Sequence, residues 1–344
     1  MITIIIPTYE RSKYLRRALI YWLRYPVNII VIDGSESPSI ELSEFEMHFN
    51  LAYFHMPVSL EERLLYAASI LTGEYAIQIS DDEFLSYDAL MAASNILNQK
   101  KHISAVLGAT LAFKKIDNKF LSCIWYSSAQ NLNISGATPS ERLRQRCLVR
   151  GNSIYYSLMR VETMRAALLM IGEHHYSCPY VAEYQMEATI CLFGDVKVMR
   201  QVMWFRSQEV PMISNEGIKR NIFFGDWIMD SNNKSEIENL KRSINANFNR
   251  SGNSIDSITP EEFIKTFSNF ERYEPRLLLI KNIIEFVKSF KLMKLLFLPL
   301  NKLRRRASSN FENLNNTKGK LKLHKIKFND QEMNLISDIV MKRE

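Results

Sequence analysis

Hydrophobic residues in the first hundred positions follow two patterns, and the two alternate. Short β-branched runs at Thr3 to Ile6, Asn28 to Ile32, Leu51 to His55, Tyr75 to Ile79 and Ile103 to Leu107 read as buried strands. Helical stripes lie between them. Leu15, Ala18, Leu19, Trp22 and Leu23 repeat at i, i+3, i+4, i+7 and i+8, on a helix that Ser12 is placed to cap and that ends before Pro26. Ser59-Leu60-Glu61-Glu62 is a capping box for a helix through Ile70, with Gly73 closing it. A further helix runs from about Ser86 to Leu97, with Ser80 or Asp81 as candidate caps. Strands separated by helices predict an α/β fold built on a doubly wound, mostly parallel sheet.

The pattern loosens after residue 109. Thr110 to Tyr126 reads as one or two strands turning at Asp117-Asn118, and Thr138-Pro139-Ser140-Glu141 is a second capping box, for a helix to about Val149. Arg142, Arg144, Arg146 and Arg150 on that helix read as a solvated face. Val181 to Phe193 reads as a helix, Gly194 as its stop and Asp195 to Arg200 as a final strand. Ser231 to Ser257 is rich in Asn, Ser and Lys, which predicts a polar linker or lid. Ile283, Phe286, Phe290, Met293 and Phe297 then form an apolar stripe, interspersed with Lys281, Lys288, Lys291 and Lys294 and followed by Lys302, Arg304, Arg305 and Arg306. The resulting division is a domain over 1–215 with halves meeting near 108, a polar linker over 216–258, and a basic, amphipathic helical region over 259–344.

Composition narrows the class. The 344 residues are 47% hydrophobic and 24% charged, as in ordinary globular proteins. Cys123, Cys147, Cys178 and Cys191 are widely spaced, which disfavours a zinc site or disulfide framework and predicts a reducing, cytoplasmic setting. The start, Met1 to Pro7, is too short and uncharged for a signal peptide. No run reaches the ~18 apolar residues of a membrane span. The net charge of +7 is concentrated late in the chain. Lys281 to Arg306 suits a helix lying on an anionic membrane, where each basic residue adds about 1 kcal/mol, or else a core helix packed on the first domain with its lysines in water. No nucleic-acid partner is expected.

The chemistry concentrates at strand ends. Asp81, Asp82 and Glu83 follow the Tyr75 strand directly. Adjacent carboxylates repel, so their clustering predicts a hard divalent cation, Mn²⁺ or Mg²⁺, between them and a phosphate. Pro7-Thr8-Tyr9-Glu10-Arg11 and Asp33-Gly34-Ser35 end the first two strands, and such ends converge on one crevice in a doubly wound sheet. Asp33 is placed to accept from a ribose hydroxyl or a base N–H. Pro7, Thr8, Tyr9, Arg11, Asp33, Gly34, Arg63 and Asp81 are the candidate nucleotide-binding residues. The chain has no Gly-x-Gly-x-x-Gly and no Walker-type Gly-Lys-Ser/Thr, which argues against a dinucleotide dehydrogenase or P-loop enzyme.

These motifs, in this order, resemble those of GT-A-fold glycosyltransferases of family 2. The family's Pro-Thr-Tyr-Asn-Arg turn is matched by Pro7 to Arg11, its Val-Asp-Asp-Gly-Ser turn by Ile32-Asp33-Gly34-Ser35 with one Asp missing, and its Gly-Glu-Tyr strand leading to Asp-x-Asp by Gly73-Glu74-Tyr75 leading to Asp81-Asp82-Glu83. The match spans about the first hundred residues. The resemblance implies a nucleotide-sugar donor, a divalent metal and transfer to an acceptor hydroxyl. It also implies an acidic base at the start of a late helix, where Glu183 matches best and Glu187, one turn on, stands in reserve. His174 and His175, just before, read as ordinary loop residues.

The expectation is therefore an inverting, metal-assisted glycosyltransferase acting by single displacement. By family analogy it would serve bacterial surface glycan synthesis of capsule, O-antigen or lipooligosaccharide type, with a glycan or glycolipid acceptor, from the inner face of the cell membrane. A sugar nucleotidyltransferase of similar fold is one alternative, although Thr8-Tyr9-Glu10-Arg11 stands where a Gly-rich phosphate loop belongs. A non-catalytic membrane-associated scaffold is the other.

Overall fold

A computed structural model describes residues 1–40, 45, 48–125, 133–147, 154–178, 180–209, 224–250 and 311–342. The basic stretch from 281 to 306, and Arg150, lie outside them. The described chain forms a ten-stranded mixed sheet with helices on both faces. Strands β1 (Ile2–Thr8), β2 (Asn28–Asp33), β3 (Leu51–His55) and β4 (Tyr75–Gln78) alternate with helices α1 (Ser12–Trp22) and α2 (Leu60–Ile70). They pair in parallel in the order β3-β2-β1-β4. Strand positions agree closely with the β-branched runs in the sequence.

Alternation along these strands divides the core. Ile4, Ile6, Ile29 and Val31 face one side, while Ile5, Ile30 and Ile32 face the other. The first side packs on α1 and α3 (Tyr87–Gln99), and the second on α2, α5 (Val161–Gly172) and α6 (Tyr180–Phe193). Each fully buried aliphatic side chain contributes about 1.5–3 kcal/mol, so a one-residue slip of β1 would reverse both faces at once.

Past β4 the pairing becomes mixed. The short strand β5 (Phe84–Leu85) lies antiparallel to β9 (Asp195–Ser207). Strand β6 (Ile103–Ile116) runs far beyond the expected Leu107. It turns at Asp117 and Asn118, both in the left-handed region with φ of 47° and 57°, into β7 (Lys119–Trp125). Positive φ at both turn residues makes a hairpin whose twist matches its strands. Parallel to β6 lies β9, with register shifts near Leu107 and Ala109. There a side chain on Gly108 would meet the Gln201 carbonyl at 2.4 Å, so the strands can approach only at glycine. Strand β8 (Leu158–Arg160) joins β4 to β6.

Local signals hold with two exceptions. The Ser59 box is complete, Ser59 and Glu62 each receiving the other's backbone N–H. The Thr138 box opens α4 (Pro139–Cys147) in the same way. Ser86, and not Ser80 or Asp81, caps α3 by accepting from the Ala89 N–H. Ser12 does not cap α1: it is the first helical residue, after Arg11, and no side chain caps that end.

Three expectations are corrected. The span expected as a polar linker contains helix α7 (Phe224–Met229), a 3₁₀ turn and helix α8 (Lys234–Arg250). Ile237, Leu240 and Ile244 of α8 join the core of the second face. Arg142 and Arg146 are buried instead of solvated. The Arg142 guanidinium donates to the carbonyls of Cys191 and Leu192 at the end of α6 and to that of Gly136. Finally, the end of the chain is core. Strand β10 (Glu312–Asn313) pairs with β7. Helices α9 (Leu314–Leu323) and α10 (Asp330–Met341) bury Leu321, Met333, Ile336, Ile339 and Val340 against α1 and the sheet. Lys115 on β6 caps the end of α10 by donating to the carbonyls of Val340 and Met341. No helix among the described residues is long and apolar enough to cross a membrane.

Candidate active site

The carboxyl ends of β1, β2 and β4 point to one edge of the sheet because the strands run parallel: Thr8 lies opposite Asp33, while β4 ends earlier, with Gln78 opposite Ile5, and the chain from Ile79 to Asp81 covers the remaining length. The backbone there is pinned. Glu10 takes a left-handed φ of 51°, donates its N–H to Ser35 Oγ and accepts the Glu36 N–H on its carboxylate. The end of β1 is thereby stapled to the turn after β2.

Asp33 organises that turn. Its fully buried carboxylate accepts from Ser35 N–H at 2.9 Å, Ser35 Oγ–H at 2.6 Å, Ser39 N–H at 2.7 Å and Tyr53 O–H at 2.5 Å. Burial pushes its pKa up, but these hydrogen bonds prevail and hold it below the usual carboxylate range. Four donors fill the acceptor capacity of a carboxylate. The Asp33 carboxylate expected to face a ribose or base is thus occupied here by donors of the chain itself.

Arg63 is likewise internal. Its guanidinium donates to the carbonyls of Thr8 at 2.7 Å and Ile32 at 3.0 Å. Gly34 lies beneath it, where a Cβ would sit 2.4 Å from the guanidinium carbon. Arg63 therefore ties the ends of β1 and β2 together, and Gly34 makes room for it. Among the expected pocket residues Tyr9 is the exposed one, at 48%, while Pro7 is half-buried and Thr8 buried.

The three acids come together with partners the sequence did not reveal. Asp81 accepts the Thr8 hydroxyl at 2.6 Å and lies 3.2 Å from one Arg11 nitrogen. The other terminal nitrogen of Arg11 lies 2.8 Å from Asp82. The Asp82 carbonyl accepts from Arg17, which also pairs with Glu209 at 2.6 Å. Glu83 points elsewhere and accepts the Trp204 indole N–H at 2.9 Å. Burial pushes the Asp81 carboxyl up to about 6, with Arg11 and Thr8 opposing the rise. Burial, with Asp82 adding to it, pushes Glu83 up to about 8. Arg11 is raised above its ordinary value: burial works against its charge, but Asp81 and Asp82 outweigh burial.

Of the three expected metal-holding acids, Asp81 and Asp82 face a common point and Glu83 does not, so a divalent cation would be held by the first two alone. Asp81 and Asp82 share one cation, and that cation is Arg11, while Glu83 is turned to Trp204. No group of three His, Cys, Asp or Glu placed to hold a metal ion occurs among the described residues.

Helix α6 brings a fourth carboxylate. Glu183, in its first turn, is half-buried. Tyr155 and Tyr156, on the 3₁₀ turn Ile154–Tyr156, lie under the influence of both Glu83 and Glu183. Burial first raises both hydroxyl pKa values well above normal, followed by Tyr156 and Glu183 for Tyr155 and by Glu83 for Tyr156. Tyr156 stacks on Trp204 with ring centres 3.8 Å apart, and the Arg206 guanidinium lies 5.4 Å from the Trp204 ring. Glu187, the reserve candidate, is instead locked: it pairs with Arg146 at 2.9 Å and accepts the Ile154 N–H at 3.1 Å. It holds α4, α6 and the tyrosine turn together, leaving Glu183 as the acid on α6 beside the cluster. His175 is an exposed loop residue contacting Glu61.

Sequence reasoning missed Arg17, Trp204 and Arg206. Trp204 and Arg206 did carry a signal, being two apart on one strand and so on one face. Arg17 carried none, since it sits in an amphipathic helix with two other basic residues, Lys13 and Arg16, around it.

No protein-family model matches the chain, and no curated protein matches it. Among solved structures, it is similar to S. aureus TarS at 12% identity and a TM-score of 0.45, over 72% of this chain and 43% of that one. It is similar to TarS 1–349 at 11% identity and a TM-score of 0.44, over 78% of this chain and 90% of that one. For TarS 1–349 in complex with UDP-GlcNAc the values are 12% and 0.42, over 78% and 80%. The chain spans less than half the length of TarS as a whole.

Proposed function

We propose that the chain is a nucleotide-sugar-dependent glycosyltransferase that inverts the anomeric centre by a single displacement. One observation carries the reading: at the edge of the sheet beyond β4, Glu83, on the turn that also bears Asp81 and Asp82, holds Trp204, and Trp204 stacks on Tyr156, which also feels the half-buried Glu183 of α6. Ligands of α/β sheets bind at that edge.

In this mechanism Tyr9 and the backbone of the two stapled turns form the nucleoside wall. Glu183 takes the proton of the acceptor hydroxyl as its oxygen bonds to the anomeric carbon. The bond from that carbon to the diphosphate oxygen breaks, and the nucleoside diphosphate leaves with the electron pair. Arg11 is the cation nearest the leaving group's place, and Asp81 and Asp82 hold it there. A divalent Mn²⁺ or Mg²⁺ enters the proposal at Asp81 and Asp82 alone, without Glu83, and would supply further charge neutralisation when bound. The acceptor is assigned to the glycans or glycolipids of a bacterial surface, made at the inner face of the membrane. The basic, apolar sequence from Lys281 to Arg306 supports that setting.

Calorimetric titration with UDP, GDP, ADP and CMP, with and without Mn²⁺, is the direct test. Saturable binding of one nucleotide, weakened by Asp82→Ala, is the expected result. Absence of binding to all four would overturn the reading in favour of a scaffold. Formation of free sugar nucleotide as product would overturn it in favour of a nucleotidyltransferase.

A further inference from the structure

A buried acid from the last helix sits at the far end of the acidic turn. Glu332, in the first turn of α10, is 5% exposed. Its carboxylate accepts the Ser86 hydroxyl at 2.5 Å and the Asp88 N–H at 3.3 Å, across 246 and 244 residues of chain. The contact is reinforced from the other side, where Asn329, the cap of α10, donates its amide to the Asp88 carboxylate. Two helix N-termini, those of α3 and α10, therefore meet around one carboxylate.

Packing alone does not call for this acid. Ser86 already caps α3 by itself, and burying a carboxylate costs free energy unless donors surround it. Glu332 fixes where Ser86 sits. Ser86 in turn donates its N–H to the Met203 carbonyl at 2.8 Å, and the next residue on that strand, Trp204, holds Glu83. Tyr21 donates to the Leu85 carbonyl at 2.7 Å, and α10 lies against α1, which carries both Tyr21 and Arg17. The segment from Asp81 to Ser86 is thus held at one end by Thr8 and Arg11 and at the other by Glu332.

Resting on the donor-site reading above, we infer that Glu332 is a positioning residue for the acidic turn: through Ser86 it sets the frame of Asp81, Asp82 and Glu83, and so the affinity for the donor's nucleoside diphosphate. The tail of the chain is then part of the donor site without touching the donor.

The test uses the full chain with Glu332→Ala, Glu332→Gln and Ser86→Ala, and with Ile336→Val as a variant that loosens the same helix only through packing. The Trp204 indole N–H resonance reports the turn without any ligand, and calorimetry with UDP, GDP and ADP reports the site. Glu332→Ala removes both hydrogen bonds to the carboxylate and is expected to move the indole resonance and to weaken binding about tenfold or more. Glu332→Gln keeps one of the two acceptor oxygens, enough for the Ser86 hydroxyl but not also for the Asp88 N–H, and is expected to recover part of both effects. Ser86→Ala should reproduce the alanine result from the other partner, and serves if Glu332→Ala does not fold. Ile336→Val should lower the melting temperature and leave resonance and affinity alone. An unmoved resonance with unchanged affinity in Glu332→Ala or Ser86→Ala would overturn the inference, as would equal effects in Ile336→Val. If the parent chain binds no nucleoside diphosphate, the donor reading fails, while the resonance still decides whether Glu332 sets the turn.

Discussion

Carboxylates only four residues apart on α6 illustrate how environment assigns roles. Glu187 is enclosed with Arg146 and the Ile154 N–H, so its charge is already spent on structure. Removing its partner leaves a buried charge, which costs about 3–5 kcal/mol. Arg146→Ala is therefore expected to lower chemical-denaturation stability by that order, and a change below about 1 kcal/mol would show that water reaches Glu187. Glu183→Gln is expected to do the opposite. It keeps the shape but not the basicity, so nucleotide affinity should persist while turnover falls about 10²-fold or more. Normal turnover would remove Glu183 from the base role. Glu83 predicts a pH effect. Its folded pKa of about 8 lies above the unfolded value of 4.5, so the folded state binds the proton more tightly. The stabilisation from the protonated form is complete below the unfolded value and is lost as pH rises through about 8. Thermal melts of the nucleotide-free chain should fall across that window, and Glu83→Gln should flatten the fall. A parent chain whose melting point rises across the same window would contradict the burial of Glu83.

At the scale of elements, the first hundred residues were legible because strand and helix periods there are clean and each turn has its own chemistry. Ile4, Ile5 and Ile6 need two apolar faces, and the sheet supplies them. The end of β2 was harder to read. Asp33-Gly34-Ser35 looked like a donor contact, yet a turn that must bury its own amides consumes the Asp33 carboxylate internally. Short polar side chains bond nearby backbone first, a preference that a motif alone cannot distinguish from ligand binding. The same turn gives a test through Gly34. A methyl group there would stand 2.4 Å from the Arg63 guanidinium carbon and push it off the Thr8 and Ile32 carbonyls. Leaving such acceptors buried and unpaired costs about 1–3 kcal/mol each. Gly34→Ala should lower stability by that order and weaken nucleotide binding together, whereas Gly34→Ala with Arg63→Ala should recover part of the strain. An unaffected Gly34→Ala would mean that Arg63 has another place to go.

For the molecule as a whole, the part least legible in the sequence was its end. α8 hid because the twelve polar and charged residues from Lys234 to Arg250 surround a sparse Ile237, Leu240, Ile244 stripe, which composition outweighs. α9 and α10 hid because they follow a basic, apolar stretch that suits a membrane surface, so the whole region read as one extension. The structure divides it. Residues 311–342 supply Leu321, Ile326, Met333, Ile336, Ile339 and Val340 to the core that also holds α1 and α3. Each of these would lose about 1.5–3 kcal/mol of burial on removal, and a domain's whole margin is about 5–15 kcal/mol. Ending the chain before residue 276 is therefore expected to yield unfolded or insoluble protein, not a soluble transferase that has merely lost an anchor. The informative cut is internal. Replacing residues 281–306 by a flexible Gly-Ser linker of equal length leaves the described core intact, so nucleotide affinity and melting temperature should hold. Binding to vesicles carrying anionic lipid should be lost, and in the parent chain that binding should weaken as salt rises, because screening acts on the lysines and arginines of the replaced stretch. Vesicle binding that survives the replacement would move the membrane contact to the exposed lysines of the folded end, Lys322, Lys325 and Lys327. A melting temperature that collapses would instead show those 26 positions to be a structural part of the core, and the membrane role would fall with it.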